Sequence, residues 1–150
     1  MIEVVGIDTN SYGYHAVGLA DSWHAQAPRS MDPRERRAFA FSNALSLFAS
    51  LPDGSAVFIE EPIVLLKNIV TTRQLVMMAG VIECAFFTAN PDATVFWVNI
   101  STWKKATIGN GNASKEQIRR HYIDRGVEYD VQDFYDARAI MEYGARQVAT

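Results

Sequence analysis

The run Val4-Val5-Gly6-Ile7 breaks directly into Asp8, Thr9, Asn10 and Ser11. Successive β-branched apolar residues favour a central strand. A carboxylate at the mouth of such a strand costs desolvation free energy unless a positive group, such as a metal ion, compensates for it. Asp8 is therefore either a site residue or a turn former whose side chain folds back ahead of Asn10. The rest of the chain has to decide between these two.

Strand character runs from Ile2 to Ile7 and resumes from Tyr12 to Ala20 at hairpin spacing, and a third short strand is expected from Trp23 to Ala27. Asp32-Pro33-Arg34-Glu35 then opens a helix, with Asp32 as N-cap, Pro33 as first helical residue and Glu35 at capping-box spacing. That helix runs to about Ser50, with Phe41, Leu45 and Phe48 as its buried stripe, and Leu51-Pro52-Asp53-Gly54 ends it. Ser55 to Glu60 reads as a strand closing on Glu60 and Glu61, with Pro62 stopping further pairing. Strand side chains alternate faces, so only one of the two glutamates can share a face with Asp8. Alternation alone leaves open which of the two it is.

Ile63 to Val70 is apolar without a clear period and reads as a loop or lid, followed by a helix from Thr71 or Thr72 to Ala89. Leu75, Met78, Ala79, Ile82 and Phe86 form one stripe of it, yet Val76, Met77, Val81 and Phe87 populate its other faces. A helix apolar nearly all round is either central to the core or buries a face against a partner subunit, which makes Thr72 to Ala89 the expected homodimer interface. Asn90-Pro91-Asp92 ends it, and Thr94 to Val98 is a further strand. Ser101 is the expected cap of a short helix, Gly109-Asn110-Gly111-Asn112 is a turn, and Ser114 to Gln117 is again capping-box spacing for a helix ended by Gly126. Asp130 is the expected cap of a last helix reaching Val148. Strands first, then alternating helix and strand, indicate an α/β sandwich around a mixed sheet.

Size and composition fit that architecture: 150 residues with 49% hydrophobic content suffice for one domain, residues 1–150, with a sizeable core. A single cysteine, Cys84, excludes an internal disulfide framework and is expected to be a packed thiol. No charged-then-apolar leader precedes the first strand, so the expected setting is intracellular and reducing. The apolar runs are expected to fall short of the ~18 residues of a membrane span, so no membrane is expected. The net charge of −3 gives no global case for nucleic-acid binding, which leaves local charge distribution to decide it.

Asp133 and Asp136 lie three apart near the start of the last helix, so they share one face with Cβ atoms roughly 5 to 6 Å apart. Carboxylates that close repel unless a cation sits between them or one takes a proton. Asp133 by itself also suits a helix N-terminus, whereas Asp136 lies past the first turn. With Asp8 and Glu60 they make four acids from three separated segments. Oxygen donors without a histidine or cysteine cluster suit Mg²⁺ or Mn²⁺ rather than zinc, and two such ions about 4 Å apart serve phosphodiester hydrolysis.

Gly6-Ile7-Asp8, Ile59-Glu60, Asp133-x-x-Asp136-Ala137 and the turn Gly109 to Ser114 leading into Lys115 together resemble the RuvC-like Holliday junction resolvases of the ribonuclease H-like superfamily. The resemblance covers nearly the whole chain. It implies a ribonuclease H-like α/β fold with a mixed five-stranded sheet and helices on both faces. It also implies a homodimeric, Mg²⁺-dependent endonuclease that nicks four-way DNA junctions to leave 5′-phosphate and 3′-hydroxyl ends, with Asp8, Glu60, Asp133 and Asp136 as catalytic and metal-holding residues. The expected setting is cytoplasmic, in a bacterial cell or a phage-infected host. Two departures stand out: Thr9-Asn10 replaces the Pro-Gly usual after the first aspartate, and Ile63, Leu65 and Leu66 replace an aromatic wedge. The second bears on junction selectivity, so a looser branched-DNA nuclease of the phage-encoded kind is also consistent.

Basic residues cluster between Ser101 and Arg125, where Lys104, Lys105, Lys115, Arg119, Arg120 and Arg125 are opposed by Glu116 and Asp124. Such a run is either a solvated surface or a set of phosphate contacts beside the acids. Lys115, at a helix N-terminus, is the first candidate for a phosphate near the scissile bond; Lys104, Lys105 and Arg119 follow. Lys67 and Arg73, with Arg34, Arg36 and Arg37, extend the track. No role is assigned to His15, His24 or His121, and Trp23, Trp97 and Trp103 read as core or rim. Two other readings remain: a catalytically silent DNA-binding or scaffold module, and a fragment of an actin-like ATPase, whose phosphate-binding hairpin Gly6 to Asn10 also resembles.

Overall fold

The computed structural model describes residues 3–64 and 67–149. Strands β1 (Val4–Asn10), β2 (Gly13–Val17) and β3 (Ser22–Gln26) precede helix α1 (Pro33–Ala49). Strand β4 (Ala56–Glu60), helix α2 (Ile69–Ala89), strand β5 (Thr94–Val98) and helices α3 (Ile100–Ile108), α4 (Lys115–Ile123) and α5 (Gln132–Val148) follow. The five strands form one sheet in the order β3-β2-β1-β4-β5. Its first three strands are antiparallel neighbours, while β4 runs parallel to β1 and β5 parallel to β4. This is the mixed sheet that the sequence pattern predicts.

Period-two alternation divides the core. Val5, Ile7, Val57 and Ile59 pack with α1 and α2, through Ala40, Ala44, Phe48, Met78, Ile82 and Phe86. Val4, Ala56 and Phe58 face the other layer with Trp103, Ile118, Tyr122, Ala137, Ile140 and Met141. Even-numbered residues of β1 and β4 therefore point toward α5, so Asp8 and Glu60 share that face. Glu61 lies beyond the strand and is exposed, its backbone N–H donating to the Val98 carbonyl at 2.8 Å.

Local signals set most helix starts. The Asp32 carboxylate accepts from the backbone N–H groups of Arg34 and Glu35 at 2.7 and 3.0 Å. Ser114 and Gln117 close a reciprocal capping box at the start of α4. Gly109 ends α3 at φ 87°, a left-handed conformation that favours glycine.

Several expectations fail for identifiable reasons. The cap of α3 is Asn99, which accepts from Ser101 N–H, so the helix starts two residues earlier than a Ser101 cap would allow. The cap position of α5 is Val131 without a side-chain bond, and Asp130 stands outside the helix. The buried stripe of α1 is Ala40, Ala44, Leu47 and Phe48, with Phe41 and Leu45 on its margin, because small residues are what lets α1 approach the sheet and α2. Helix α2 begins at Ile69, so part of the expected loop is helical, and Leu65 and Leu66 lie outside the described residues. Its 21 residues are long and apolar enough, by length and composition, to cross a membrane, contrary to the sequence reading, which the interspersed Arg73 and Glu83 misled. Met78, Ala79, Ile82, Ala85 and Phe86 nevertheless form a core face. Cys84 is exposed rather than packed, since it falls on the opposite side of that helix.

The tightest contact between layers is at Gly6, where an added β-carbon would collide with the Met141 backbone nitrogen and the Ala137 carbonyl oxygen. Backbone has little freedom to yield. Gly144 repeats this one helical stretch later, where a β-carbon would lie 2.6 Å from Cε2 of Phe58. We expect Gly6→Ala to cost at least ~3 kcal/mol in urea unfolding, the upper range for overpacking. A loss below about 1 kcal/mol would show that α5 can lift off the sheet cheaply.

Candidate metal centre

Strand β1 continues past Asp8 to Asn10, so Asp8 is inside the strand rather than at its mouth. The turn role falls instead to Asn10, whose Oδ1 accepts from the Tyr12 and Gly13 N–H groups at 2.9 and 3.1 Å. Freed of that duty, Asp8 projects toward α5. There Asp133 and Asp136 present their carboxylates one helical turn apart, and ligand oxygens of Asp8, Asp133 and Asp136 all lie within 4.8 Å of one another. Asp136 is buried and its Oδ1 has no hydrogen-bond partner.

Glu60 adjoins this group without joining it. The indole N–H of Trp103, itself fully buried, donates to Glu60 Oε2 at 2.7 Å and holds the carboxylate beside the three aspartates. The expected convergence of four carboxylates is thus met by three, with the fourth at the rim. No sequence signal pointed to Trp103, because the pair is 43 residues apart.

Lys115 enters the cluster from the first turn of α4, its Nζ 3.2 Å from Asp133 Oδ1 and 3.9 Å from Asp136 Oδ2. Lys104 lies alongside, donating to the Ala113 carbonyl at 2.9 Å and passing over the Trp103 ring. Lys105 and Arg119 are exposed on α3 and α4. Lys67 and Arg73 are exposed at the start of α2, where Arg73 lines a cleft with Arg37, Pro33, Ile69, Val70 and Met77. Arg36 is spoken for: it donates to the carbonyls of Met31 and Arg29 and covers the Tyr12 ring.

Two residues without a predicted role surround Asp133. The Asn10 side chain donates from Nδ2 to Gln26 Oε1 at 3.0 Å and to Asp133 Oδ2 at 3.3 Å. His15 sits directly opposite Asp8 in the hairpin, and its Nδ1 lies 3.6 Å from Asp133 Oδ2. Its signal was the hairpin register itself, which pairs the two residues across the Ser11–Tyr12 turn.

The charges oppose one another. Burial, then repulsion from Glu60, Asp136 and Asp133, holds the Asp8 carboxyl well above its ordinary range, with Lys115 offsetting part of this. Burial pushes Glu60 up to about 7 against the Trp103 hydrogen bond. Burial also raises Asp136 to about 6, although Lys115 pulls the other way. Partial burial alone would lower Lys115, but Asp133 and Asp136 outweigh it and leave its pKa raised. Burial lowers His15, against the pull of Asp133. The donor set is all oxygen, one buried oxygen is orphaned, and several like charges are crowded together. These features fit a hard divalent cation.

In the metal-free protein, folded carboxyls with raised pKa values bind more protons than the unfolded chain does. Their stabilisation is present below the unfolded values near 4 and lost as pH rises through about 6 for Asp136 and about 7 for Glu60. Urea melts in chelator are therefore expected to show stability falling, on the order of 2 kcal/mol, between pH 4.5 and 8. Stability that rises over that interval would mean the acids are not crowded together in solution.

No protein-family model matches the chain, and no curated protein matches it in sequence. Solved structures do. The structure of Thermus thermophilus RuvC in complex with Holliday junction substrate superposes with a TM-score of 0.79 at 19% identity, covering 100% of this chain and 98% of that one. A second Thermus thermophilus RuvC structure gives 0.76 at 20% identity, covering 98% and 97%. Two chains this alike in backbone over their whole lengths share one architecture, so this chain has the ribonuclease H-like fold in the form that RuvC takes.

Proposed function

We propose that the chain is a divalent-metal-dependent, structure-specific DNA endonuclease that cuts four-way junctions or related branched DNA. The observation that carries this reading is the meeting of Asp8, Asp133 and Asp136 within 4.8 Å, with a buried oxygen of Asp136 left unpartnered, in a fold shared end to end with RuvC. Asp8, Asp133 and Asp136, with Glu60 at the rim, would hold Mg²⁺ or Mn²⁺. When bound there, such ions would supply an acidified water as nucleophile and charge compensation for the departing 3′ oxygen. Hydrolysis of that P–O bond leaves a 5′-phosphate and a 3′-hydroxyl.

The protein's own part is positional. Trp103 restrains Glu60, and the α4 N-terminus brings Lys115 to the open side of the acids. Lys115 and Lys104 are the nearest phosphate contacts, with Lys105 and Arg119 continuing along α3 and α4 and Lys67 and Arg73 reached from α2. The exposed face of α2 carries Val76, Met77 and Phe87, and beside it Pro62, Val64, Gly80 and Trp97 line an apolar hollow. That surface is our homodimer interface, and the setting is the cytoplasm of a bacterial or phage-infected cell. Full-length correspondence to RuvC favours this reading over a fragment of a two-domain ATPase.

The decisive measurement is cleavage of a synthetic four-way junction in Mg²⁺, in Mn²⁺ and in chelator, with a linear duplex as control. The junction is expected to be cut only with metal, and Asp8→Asn to slow cutting by more than about a hundredfold, beyond the effect of losing an outer-shell partner. Junction binding without cleavage in either metal would leave a silent scaffold as the reading. For the interface, small-angle scattering at micromolar concentration is expected to give twice the monomer mass, and Val76→Glu to halve it; a wild-type monomer would count against the α2 contact.

A further inference from the structure

His15 is an unusual neighbour for an acidic cluster. It is 4% exposed, and its Nδ1 is buried without a hydrogen-bond partner. Strand pairing places it in one cross-strand row, Asp8 on β1, His15 on β2 and His24 on β3. The row faces α5, where Phe134 meets the His15 ring edge-on with centroids 4.8 Å apart, and His24 stacks beside His15 at 5.9 Å while meeting the same Phe134 ring edge-on at 5.8 Å. These contacts prevent the imidazole from swinging away, so its Nδ1 is left aimed at Asp133 Oδ2, 3.6 Å distant.

That distance is just too long for a hydrogen bond. On the opposite side of the same carboxylate, Lys115 donates to Asp133 Oδ1 at 3.2 Å. A buried ring nitrogen without a partner costs on the order of 1–3 kcal/mol, which favours closing the remaining gap. Asn10 already donates to the same Oδ2 from the hairpin turn at 3.3 Å. Asn10 and His15, fixed by one hairpin, thus converge on one oxygen of Asp133, while its other oxygen meets Lys115, whose Nζ also lies 3.9 Å from Asp136 Oδ2.

We propose that His15 is a positioning residue that donates from Nδ1 to Asp133 Oδ2 and, with Asn10, aims the opposite oxygen of Asp133 into the acidic cluster. The role rests on the metal-centre reading of that cluster and adds a histidine that acts through a ligand rather than as one. A hydrogen bond accepted on the far side of a ligating carboxylate fixes its orientation, and outer partners of this kind contribute roughly 10–100-fold in metal affinity. It also gives the Asn10 side chain a second duty besides closing the turn.

Two measurements test this on the full chain. Long-range ¹H–¹⁵N spectra of the wild type are expected to show His15 as the Nδ1–H tautomer, a signature that simple packing does not require. Calorimetric titration with Mn²⁺ is expected to give about tenfold weaker binding for His15→Leu, which fills the space without a donor, and binding within about threefold of wild type for His15→Asn, whose amide nitrogen can take the Nδ1 position. An Nε2–H tautomer, or a His15→Leu variant that binds Mn²⁺ as tightly as wild type, overturns the proposal. So does equal loss in His15→Asn and His15→Leu when both melt like wild type in chelator. A wild type that takes up no Mn²⁺, and is indifferent to Asp8→Asn, instead overturns the metal-centre reading and the His15 role with it.

Discussion

Backbone contact between β1 and α5 at Gly6 governs the placement of nearly every group of chemical interest. Asp8 is two residues along the strand from Gly6 and so on the same face, while Asp136 is adjacent to Ala137, whose carbonyl oxygen lies over Gly6. Because the helix rests on bare strand backbone, acids from the two elements come close enough to share a cation. Any side chain at Gly6 would separate the layers and open the cluster. Gly144 against Phe58 holds the far part of the same helix down, so α5 is pinned at two places along β1 and β4.

That proximity is unfavourable without a cation, and the fold carries partial remedies. Lys115 places an ammonium between Asp133 and Asp136, and Trp103 and Asn10 supply neutral donors to Glu60 and Asp133. These partners also define what the site can do. Donors fixed behind Glu60 and Asp133 orient them, whereas Lys115, paired with Asp133, is 65% exposed in its side chain. The acids thus have a rigid backing of neutral donors and one solvent-facing cation.

The second layer has a different character. Alanines at positions 40, 44, 79 and 85 let α1 and α2 pack closely against each other and the sheet, and the bulky apolar residues of α2 are left partly outside. Val76, Met77 and Phe87 are exposed together with Trp97 on the neighbouring edge strand, where the Trp97 indole N–H is satisfied by Glu83 at 2.9 Å. Val76 and Trp97 line one apolar hollow, whereas Met77 lines the cleft it shares with Arg37 and Arg73. Both lie on the opposite side of the sheet from α5.

What the sequence by itself determined follows from local rules. Period-two alternation allowed only one of Glu60 and Glu61 to share a face with Asp8, three-residue spacing put Asp133 and Asp136 on one face of a helix, and Asp32 and Ser114 announced their helices. Local rules left Asp8 open between a turn and a site, where Asn10 makes the turn, and they erred where Asn99 rather than Ser101 caps α3 and where Cys84 faces solvent. Only the tertiary structure decided which carboxylates meet, that Trp103 holds Glu60 at the rim, and that His15 and Asn10 stand behind Asp133. The reason is physical: periodicity gives the direction of a side chain, but a distance between residues 123 apart, such as Asn10 and Asp133, depends on how closely a helix can settle on a sheet. Here that closeness is set by a single missing β-carbon at Gly6.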